Sequence, residues 1–185
     1  MANEAFLFLR QLLAKPGQVS AIAPSSRWLA RAMAHGLGPH TGRVVEFGPG
    51  TGQLTRGILA AGVAPKDLTL FEMNPDFAIH LRTEFPGVTV HLGAAQIATT
   101  HVASGVGAVI SGLPLLSMPP IIGQAILQAA YDILAPDGVY VQFTYGPRPP
   151  VSADVLKAVG FTATAGPKVW ANLPPARVYY FRKKP

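Results

Sequence analysis

Hydrophobic residues in this chain switch repeatedly between the alternating spacing of strands and the three-to-four-residue spacing of helices. Short β-branched and aromatic runs, separated by helical stretches, predict strands at 43–47, 68–72, 88–92, 107–111 and 138–145. Two more alternating segments predict a final antiparallel hairpin, at 161–169 and 177–183. A βαβ series of this kind predicts an α/β fold with a seven-stranded, mostly parallel sheet.

Proline and glycine mark where the helices between these strands begin and end. Pro75 opens a helix over residues 76–85, because proline fits the first helical turn. A longer helix is predicted over residues 120–134. The Ala135-Pro136-Asp137-Gly138 segment that follows predicts a turn into the fifth strand.

The residues before the first strand form a predicted helical extension, 1–40, to a sheet domain that covers 41–185. Residues 3–14 predict an amphipathic helix with one broad apolar face, made of Ala5, Phe6, Phe8, Leu9, Leu12 and Leu13. Such a helix either covers the core or lies in a membrane interface with its apolar face among acyl chains. Ser25 and Ser26 then supply an N-cap for a second helix.

Composition narrows the class of protein. At 185 residues the chain fits one domain with a substantial core. It has no cysteine and its five histidines lack metal-ligand spacing, so a metal-dependent mechanism is disfavoured. No apolar run reaches the roughly 18 to 20 residues that span a bilayer, and we expect a cytoplasmic protein.

The charge is unevenly distributed along the chain, whose net charge is +6. Residues 1–66 carry seven Lys/Arg against two acids, residues 67–137 one against six, and residues 138–185 seven against one. Two basic terminal segments around an acidic middle favour contact with a polyanion, either anionic lipid or nucleic acid. The alternative is that these charges are simply solvated.

A glycine-rich loop follows the first predicted strand, in the segment Val44-Val45-Glu46-Phe47-Gly48-Pro49-Gly50-Thr51-Gly52. Glycines let the backbone take positive φ angles and approach a ligand closely at the start of the next helix. Gln53 stands where a dinucleotide fold has its third glycine, so the NAD fingerprint is not met. The pattern of an acid, Glu46, before three alternate glycines resembles the cofactor loop of class I S-adenosylmethionine-dependent methyltransferases.

A second acid, Glu72, ends the second predicted strand about 20 residues after the glycines, where a carboxylate accepts hydrogen bonds from a ribose. Met73 follows it and joins the candidate cofactor-binding residues. After the third strand many such methyltransferases carry an acid for the adenine amino group, whereas this chain has Gly93-Ala94-Ala95-Gln96. Adenine is therefore expected to contact backbone groups at Ala94 and Ala95 or the Gln96 side chain.

Several segments together resemble the bacterial phospholipid N-methyltransferases, which are short, soluble enzymes of this class. They are residues 21–26, 46–52, 72–75, the Ser111-Gly112-Leu113-Pro114-Leu115 segment, and the basic end 177–184. The resemblance covers nearly the whole chain. It implies a Rossmann-like fold that uses S-adenosylmethionine without a metal, releases S-adenosylhomocysteine, and methylates phosphatidylethanolamine stepwise to phosphatidylcholine.

The resemblance also implies partners and a location: a phospholipid headgroup as substrate, and an anionic membrane surface contacted through residues 1–15 and basic residues. The protein is then expected on the inner face of the cell membrane, as a monomer and without nucleic acid. Dimethyladenosine RNA methyltransferases carry Asn-Leu-Pro-aromatic where this chain has residues 111–115. That departure disfavours a flipped base at this site.

Candidate catalytic and substrate-binding residues follow from the chemistry. The amine of an ethanolamine headgroup has a pKa of about 10 and must lose a proton before it attacks a methyl group. Tyr145 ends the fifth strand, where ligands of open α/β sheets bind, and it can orient the amine and stabilise the cationic product. Ser111 is a candidate cofactor-binding residue that can also accept from the amine, and His101 is a candidate proton acceptor. The remaining substrate candidates are Ser25, Ser26, Arg148 and Tyr180.

Two other functions remain open from the sequence. An RNA adenine N-methyltransferase would share the cofactor loop and the basic surface, but aromatic residues are not interleaved with the basic ones as a stacking platform requires. A non-catalytic, cofactor-binding membrane module would keep Glu46 and Glu72 yet transfer no methyl group.

Overall fold

The computed structural model describes residues 26–145 and 149–184. Its helices are α1 (Arg27–Met33), α2 (Gln53–Ala60), α3 (Pro75–Glu84), α4 (Ala98–His101), α5 (Pro120–Ile133) and α6 (Ala153–Val159). Its strands are β1 (Val44–Phe47), β2 (Leu68–Glu72), β3 (Thr89–Leu92), β4 (Val106–Ser111), β5 (Leu134–Thr144), β6 (Phe161–Val169) and β7 (Ala176–Lys183). The predicted helix over residues 3–14 and the candidates Ser25 and Arg148 lie outside the described residues.

The strands form one seven-stranded sheet in the order β3-β2-β1-β4-β5-β7-β6. Neighbours from β3 through to β5 are parallel, while β7 is antiparallel to both β5 and β6. The predicted mostly parallel sheet is thereby confirmed. The chain order reverses direction between β1 and β4, and ligands of open α/β sheets bind beyond the carboxyl ends of the strands at such a point.

The start of β5 differs from the prediction. The strand begins directly after α5 at Leu134, and residues 135–138, which the sequence predicts as a turn, lie within it. The pairing of β5 with β4 shifts register between Val106 and Ala108, which absorbs this irregular entry. A Cβ on Gly138 would lie 2.9 Å from the Val106 carbonyl oxygen, so the close approach needs glycine.

Apolar side chains fill both faces of the sheet. One core cluster lies under α1, α2 and α3, and the other lies under α4, α5 and α6. Helix α1 belongs to the first cluster through Leu29 and Met33, and its Ala30 packs so closely on α2 that a Cβ on Gly57 would lie 2.9 Å from it. The described part of the predicted extension, residues 26–40, is therefore a layer of the sheet domain and not separate from it.

The described helices are short. The longest, α5, has 14 residues. Within residues 26–145 and 149–184, no helix has both the length and the apolarity that crossing a bilayer requires.

Candidate functional site

The carboxyl ends of β1, β2, β4 and β5 meet at one edge of the sheet, which we call the carboxyl edge. Phe47, the last residue of β1, pairs with Phe71 of β2 and with Ser111 of β4, and Ser111 pairs with Gln142 of β5. The loops that leave these strands continue the ladder. The Gly48 amide donates to the Phe71 carbonyl at 3.0 Å, and the Gly112 amide donates to the Phe47 carbonyl at 2.8 Å.

The glycine loop after β1 has three glycines with positive φ, and only one of them faces open space. A Cβ on Gly48 would lie 2.5 Å from the Leu113 side chain, and one on Gly52 would lie 2.5 Å from Phe85, so a side chain at either position would have to displace a neighbour within the protein. Gly50 has a φ of 54° and nothing within 4 Å of the Cβ position. The open side of the loop is therefore at Gly50, where a ligand can approach the backbone.

Glu72 supports this loop from the neighbouring strand. One carboxylate oxygen accepts from the Gly50 amide at 3.0 Å, and the other accepts from the Asn74 amide at 2.8 Å. A carboxylate oxygen has two acceptor positions, so each retains one for a ribose hydroxyl. The structure thus brings together Gly50 and Glu72, the two cofactor candidates that the sequence identifies on separate strands.

Glu46 lies beneath the loop and is fully buried, so it is not an exposed acceptor for the cofactor. Its Oε2 accepts from the Thr55 hydroxyl at 2.7 Å, whereas Oε1 has no partner among the described residues. Burial raises the pKa of the Glu46 carboxyl to about 8, against the opposing hydrogen bond from Thr55 and with a smaller contribution from the Glu72 charge. A cationic ligand nearby would compensate the unpartnered oxygen of this buried carboxyl and would favour the ionised form of the carboxyl.

The adenine side of the site has several exposed apolar side chains, among them Met73 and Leu92, the residue of β3 that pairs with Glu72. Met73 is exposed directly after Glu72, where it can cover a flat apolar ring. The turn after β3 is tied to Glu72, because the Gly93 amide donates to the Glu72 carbonyl at 2.8 Å. Ala95 is buried in the core and Ala94 is half-buried, so these alanines can contact a cofactor only through their backbone.

Ser111 is also fully buried, which contradicts its prediction as a direct ligand of cofactor or amine through its side chain. Its hydroxyl oxygen accepts from the Leu113 amide at 3.3 Å, and the group hydrogen-bonds to Tyr140. Tyr140 donates to Gln142 Oε1 at 2.8 Å, and Gln142 Nε2 donates to the Leu113 carbonyl at 2.9 Å. This buried network fixes the conformation of residues 111–113, and the role of the Ser111 side chain is to hold that conformation.

Tyr145 stands at the carboxyl edge as predicted, directly after β5, with 41% of its side chain exposed. Its ring contacts Phe143 edge-on, with 5.3 Å between centroids. Burial raises the pKa of the Tyr145 phenol, and a hydrogen bond with the Asn172 side chain opposes this. The phenol is therefore neutral at physiological pH, so it can orient a group by hydrogen bonding but does not act as an anionic base.

Asn172 is a residue that the sequence analysis missed. It is buried in the turn between β6 and β7, where its Oδ1 accepts from the Ser26 amide at 2.8 Å and its Nδ2 donates to the Pro174 carbonyl at 2.8 Å. Together with its bond to Tyr145, these contacts join three segments distant in sequence. An asparagine in a turn is common, so no local signal distinguishes it.

The other predicted substrate residues have different positions. Ser26 caps α1, with its Oγ accepting from the Leu29 amide at 3.2 Å, which leaves its hydroxyl hydrogen free to donate. Tyr180 pairs with Val141 in the middle of the sheet, about 10 Å from the carboxyl edge by strand rise, so it cannot contact a headgroup there. Arg177, which pairs with Thr144, is the basic residue of β7 at that edge.

A curated relative identifies the family. The ornithine lipid N-methyltransferase of Singulisphaera acidiphila is 32% identical over 154 residues, which cover 78% of this chain and 80% of that protein. The chain belongs to the same family of lipid-modifying, S-adenosylmethionine-dependent methyltransferases. No family model matches the chain.

Two solved structures share the fold of this methyltransferase. The TehB-like S-adenosylmethionine-dependent methyltransferase of Corynebacterium glutamicum has a TM-score of 0.64 at 13% identity and covers 100% of both chains. The 1,6-didemethyltoxoflavin-N1-methyltransferase of Burkholderia thailandensis has a TM-score of 0.69 at 17% identity, covers 97% of this chain and 90% of that one, and holds S-adenosylhomocysteine. These likenesses confirm the predicted class I fold, and with the relative they confirm S-adenosylmethionine as the cofactor.

The histidines of this methyltransferase do not gather at the site. The His101 ring is tilted against that of His91, with 4.4 Å between centroids, and His91 stacks on Phe71. This group lies against β2 and β3, which the sheet order separates from β5, so the structure does not place His101 beside Tyr145. Among the described residues, no three His, Cys, Asp or Glu side chains come together as a metal site would require.

Proposed function

We propose that this methyltransferase transfers a methyl group to the primary amine of a membrane lipid headgroup. The observation that carries the proposal is the 32% identity with an N-methyltransferase named for a lipid, over most of both chains. The geometry of the carboxyl edge agrees with it, because the open side of the glycine loop and Tyr145 lie at the same edge.

Two headgroups are candidates. The sequence resemblance supports phosphatidylethanolamine, methylated stepwise to phosphatidylcholine. The relative from Singulisphaera acidiphila supports ornithine lipid. Both present a primary amine on a short aliphatic chain, so one site can orient either, and the substrate assay must separate them.

An apolar cleft formed by the segments that follow β4 and β5 supports a lipid substrate. It has a volume of about 420 Å³ and lies beyond the carboxyl ends of β4 and β5. Its walls are mainly apolar, and they include Leu115, Leu116, Met118, Val151 and Val155. A cleft of this chemistry can hold the first part of an acyl chain while the headgroup reaches the cofactor.

The residues of the cofactor side fit S-adenosylmethionine. When bound, this cofactor supplies a methyl group on a cationic sulfonium. Gly50 gives the backbone approach, Glu72 accepts from ribose hydroxyls, and Glu46 offers a buried carboxyl below the loop that a bound cation would favour in its ionised form. Methyl transfer is an in-line displacement, so positioning and water exclusion by these residues account for most of the acceleration.

The substrate amine must reach the site unprotonated. Its pKa of about 10 means that only a small fraction is neutral at physiological pH. Tyr145 cannot remove the proton as a phenolate, because its raised pKa keeps it neutral. We therefore assign it two other roles: to hydrogen-bond the neutral amine, and to stabilise the cationic product through its ring by about 0.5 to 2 kcal/mol.

We also propose that the enzyme works while peripherally bound to an anionic membrane on its cytoplasmic side, with residues 1–15 and basic residues in contact. The uneven charge along the chain supports this. The departure of Ser111-Gly112-Leu113-Pro114-Leu115 from the RNA-methyltransferase pattern supports lipid over nucleic acid. We expect a monomer.

Mass analysis of lipids tests the proposed function. Purified protein is incubated with isotope-labelled S-adenosylmethionine and vesicles that contain phosphatidylethanolamine, ornithine lipid, or neither. We expect labelled methyl on one or both aminolipids and none in the third sample. No label on either aminolipid, from protein that binds S-adenosylmethionine, would contradict the proposal.

A further inference from the structure

The turn between β6 and β7 projects from the carboxyl edge beside the active site. Thr144 at the end of β5 pairs with Arg177 near the start of β7, and Arg177 pairs with Lys168 near the end of β6. These three residues form a row across the edge, so the turn of residues 170–175 extends beyond it on the same side as Tyr145. Asn172 in this turn holds Tyr145, as described above.

Large apolar side chains at this turn face solvent. Trp170 is 70% exposed and Leu173 is 78% exposed. Trp28, 46% exposed, lies in the first turn of α1, which the Ser26 to Asn172 hydrogen bond joins to the same turn. We call Trp28, Trp170 and Leu173, with the basic residues Arg27 and Lys168, the hairpin-tip surface. Exposed apolar side chains that gather in this way indicate an interaction surface.

The basic residues of the hairpin-tip surface lie on its aromatic rings. Lys168 Nζ is 3.7 Å from the centroid of the Trp170 ring, and Arg27 Cζ is 5.0 Å from that of Trp28. Neither forms a salt bridge in the described part of the chain, where Arg56 and Glu84 make the one ion pair. The surface thus combines uncompensated positive charge with tryptophan, the side chain that prefers the headgroup level of a bilayer.

A second exposed apolar group lies at the same edge beyond β4. Ile121 opens α5 and is 75% exposed, and Leu116 precedes it in the connection from β4. The cofactor loop follows β1, which the sheet order places next to β4 and away from the hairpin of β6 and β7. A partner with a flat, apolar and anionic surface can contact the hairpin-tip surface and the group at Ile121 and Leu116 while it also faces the site. A lipid bilayer fits this description better than a small protein does.

We propose that the hairpin-tip surface docks the enzyme on an anionic lipid bilayer, with Trp170 and Leu173 inserted at the headgroup level. This inference rests on the proposed lipid substrate, and it specifies which face of the fold meets the membrane. Docking at the carboxyl edge places the site against the surface that holds the substrate, so a headgroup need not leave the bilayer to reach Tyr145.

Tryptophan fluorescence tests the contact directly, because the chain has two tryptophans. The Trp28→Phe variant leaves Trp170 as its single reporter. With vesicles of phosphatidylglycerol and phosphatidylethanolamine, its emission should shift to shorter wavelength and be quenched by brominated acyl chains. Vesicles of phosphatidylcholine alone should produce a weaker shift, and added salt should reduce it. Unchanged emission with vesicle-bound protein would overturn the proposal.

A paired variant measures the effect on binding. Trp170→Ser combined with Leu173→Ser should weaken binding to anionic vesicles by about tenfold or more, because interfacial affinity scales with buried apolar area. Affinity for S-adenosylmethionine and activity on a short-chain, micellar aminolipid should stay unchanged. The matched control is Ile79→Ser, a 62% exposed residue of α3 at the other end of the sheet, which should bind vesicles normally.

Three results would count against the hairpin-tip surface. The paired variant could bind vesicles as tightly as the wild type, which would leave residues 1–15 as the anchor. It could instead lose a dimer seen in sedimentation while vesicle binding persists, which would make the surface an interface between two copies. It could also lose affinity for S-adenosylmethionine together with vesicle binding, which would show that Trp170 and Leu173 stabilise the fold and are not a docking contact. If the wild type binds vesicles through Trp170 but methylates no lipid, the proposed function fails and the docking surface stands.

Discussion

The two halves of the sheet are built differently. In the cofactor half, β1 to β3, the functional residues are close in sequence. Glu72 ends β2 and accepts from the amide of Gly50, which lies 22 positions earlier in the loop after β1. The substrate half, β5 to β7, relies on distant contacts. There, Asn172 accepts from the Ser26 amide across 146 positions and holds Tyr145.

This difference indicates a division of labour. Variants in the cofactor half should change cofactor affinity, and variants in the substrate half should change methyl transfer at constant cofactor affinity. A variant that changes the wrong one of these two quantities would break the comparison.

The largest effect is expected from Gly50→Val. A branched side chain would occupy the open side of the loop, so affinity for S-adenosylmethionine should fall by at least about 100-fold, more than 2.7 kcal/mol, as measured by calorimetry. Gly42→Val is the matched control, because Gly42 also has positive φ with nothing within 4 Å of its Cβ position but lies before β1. Equal loss of affinity in both variants would show that backbone strain, and not ligand contact, is the cause.

Glu46→Gln should change the pH dependence of stability. The Glu46 pKa is about 8 in the folded protein against an ordinary value of 4.5, so between these values the folded state holds a proton that the unfolded state has lost. Wild-type stability should therefore fall as pH rises through this window, by on the order of 1 kcal/mol per pH unit. The glutamine side chain of the variant does not titrate. The amount by which the melting temperature of the variant exceeds that of the wild type should therefore be larger at pH 8 than at pH 5. A constant difference across that range would mean that Glu46 is ionised in the fold.

Glu72→Ala should weaken the binding of S-adenosylmethionine by about 1 to 3 kcal/mol. A charged acceptor is lost, and the Gly50 and Asn74 amides lose their partner. Asp76→Ala is a suitable control, as it removes an exposed acid from the first turn of α3 nearby. An unchanged dissociation constant in Glu72→Ala would remove Glu72 from the ribose site.

The smallest effect is expected in the substrate half. Tyr145→Phe keeps the ring and removes the hydroxyl, so kcat should fall by about tenfold, the cost of one hydrogen bond, at unchanged cofactor affinity. Asn172→Ala should lower kcat similarly, since it releases Tyr145. Tyr180→Phe, in the middle of β7, should leave kcat unchanged. Loss of cofactor affinity in Tyr145→Phe would contradict the division between the halves.

The sequence predicts the cofactor half better than the substrate half, for physical reasons. A strand that breaks into alternate glycines and a second strand that ends in an acid are local patterns, so the amino-acid sequence alone is enough to place Gly50 and Glu72. The burial of a side chain depends on residues that are distant in the sequence. The sequence therefore does not show that neighbouring strands and helices cover the side chains of Glu46 and Ser111.

Strand register limits the prediction in the substrate half. Tyr180 and Arg177 lie in the same predicted strand, and only the pairing of Thr144 with Arg177 shows which of them reaches the carboxyl edge. Likewise, the irregular pairing of β4 with β5 decides that β5 begins at Leu134. Asn172 matters through contacts with two other segments, and nothing beside it in the sequence indicates them.

Magnetic resonance of the methylated product tests the central claim most directly. The enzyme is given S-adenosylmethionine with an isotope-labelled methyl group and a mixture of aminolipid vesicles and total RNA, and the labelled product is extracted and its methyl resonance assigned. The account predicts label on the headgroup nitrogen of a lipid, lost in Gly50→Val and retained in Gly42→Val. Label on a nucleobase, or on no acceptor while the cofactor binds normally, would contradict it.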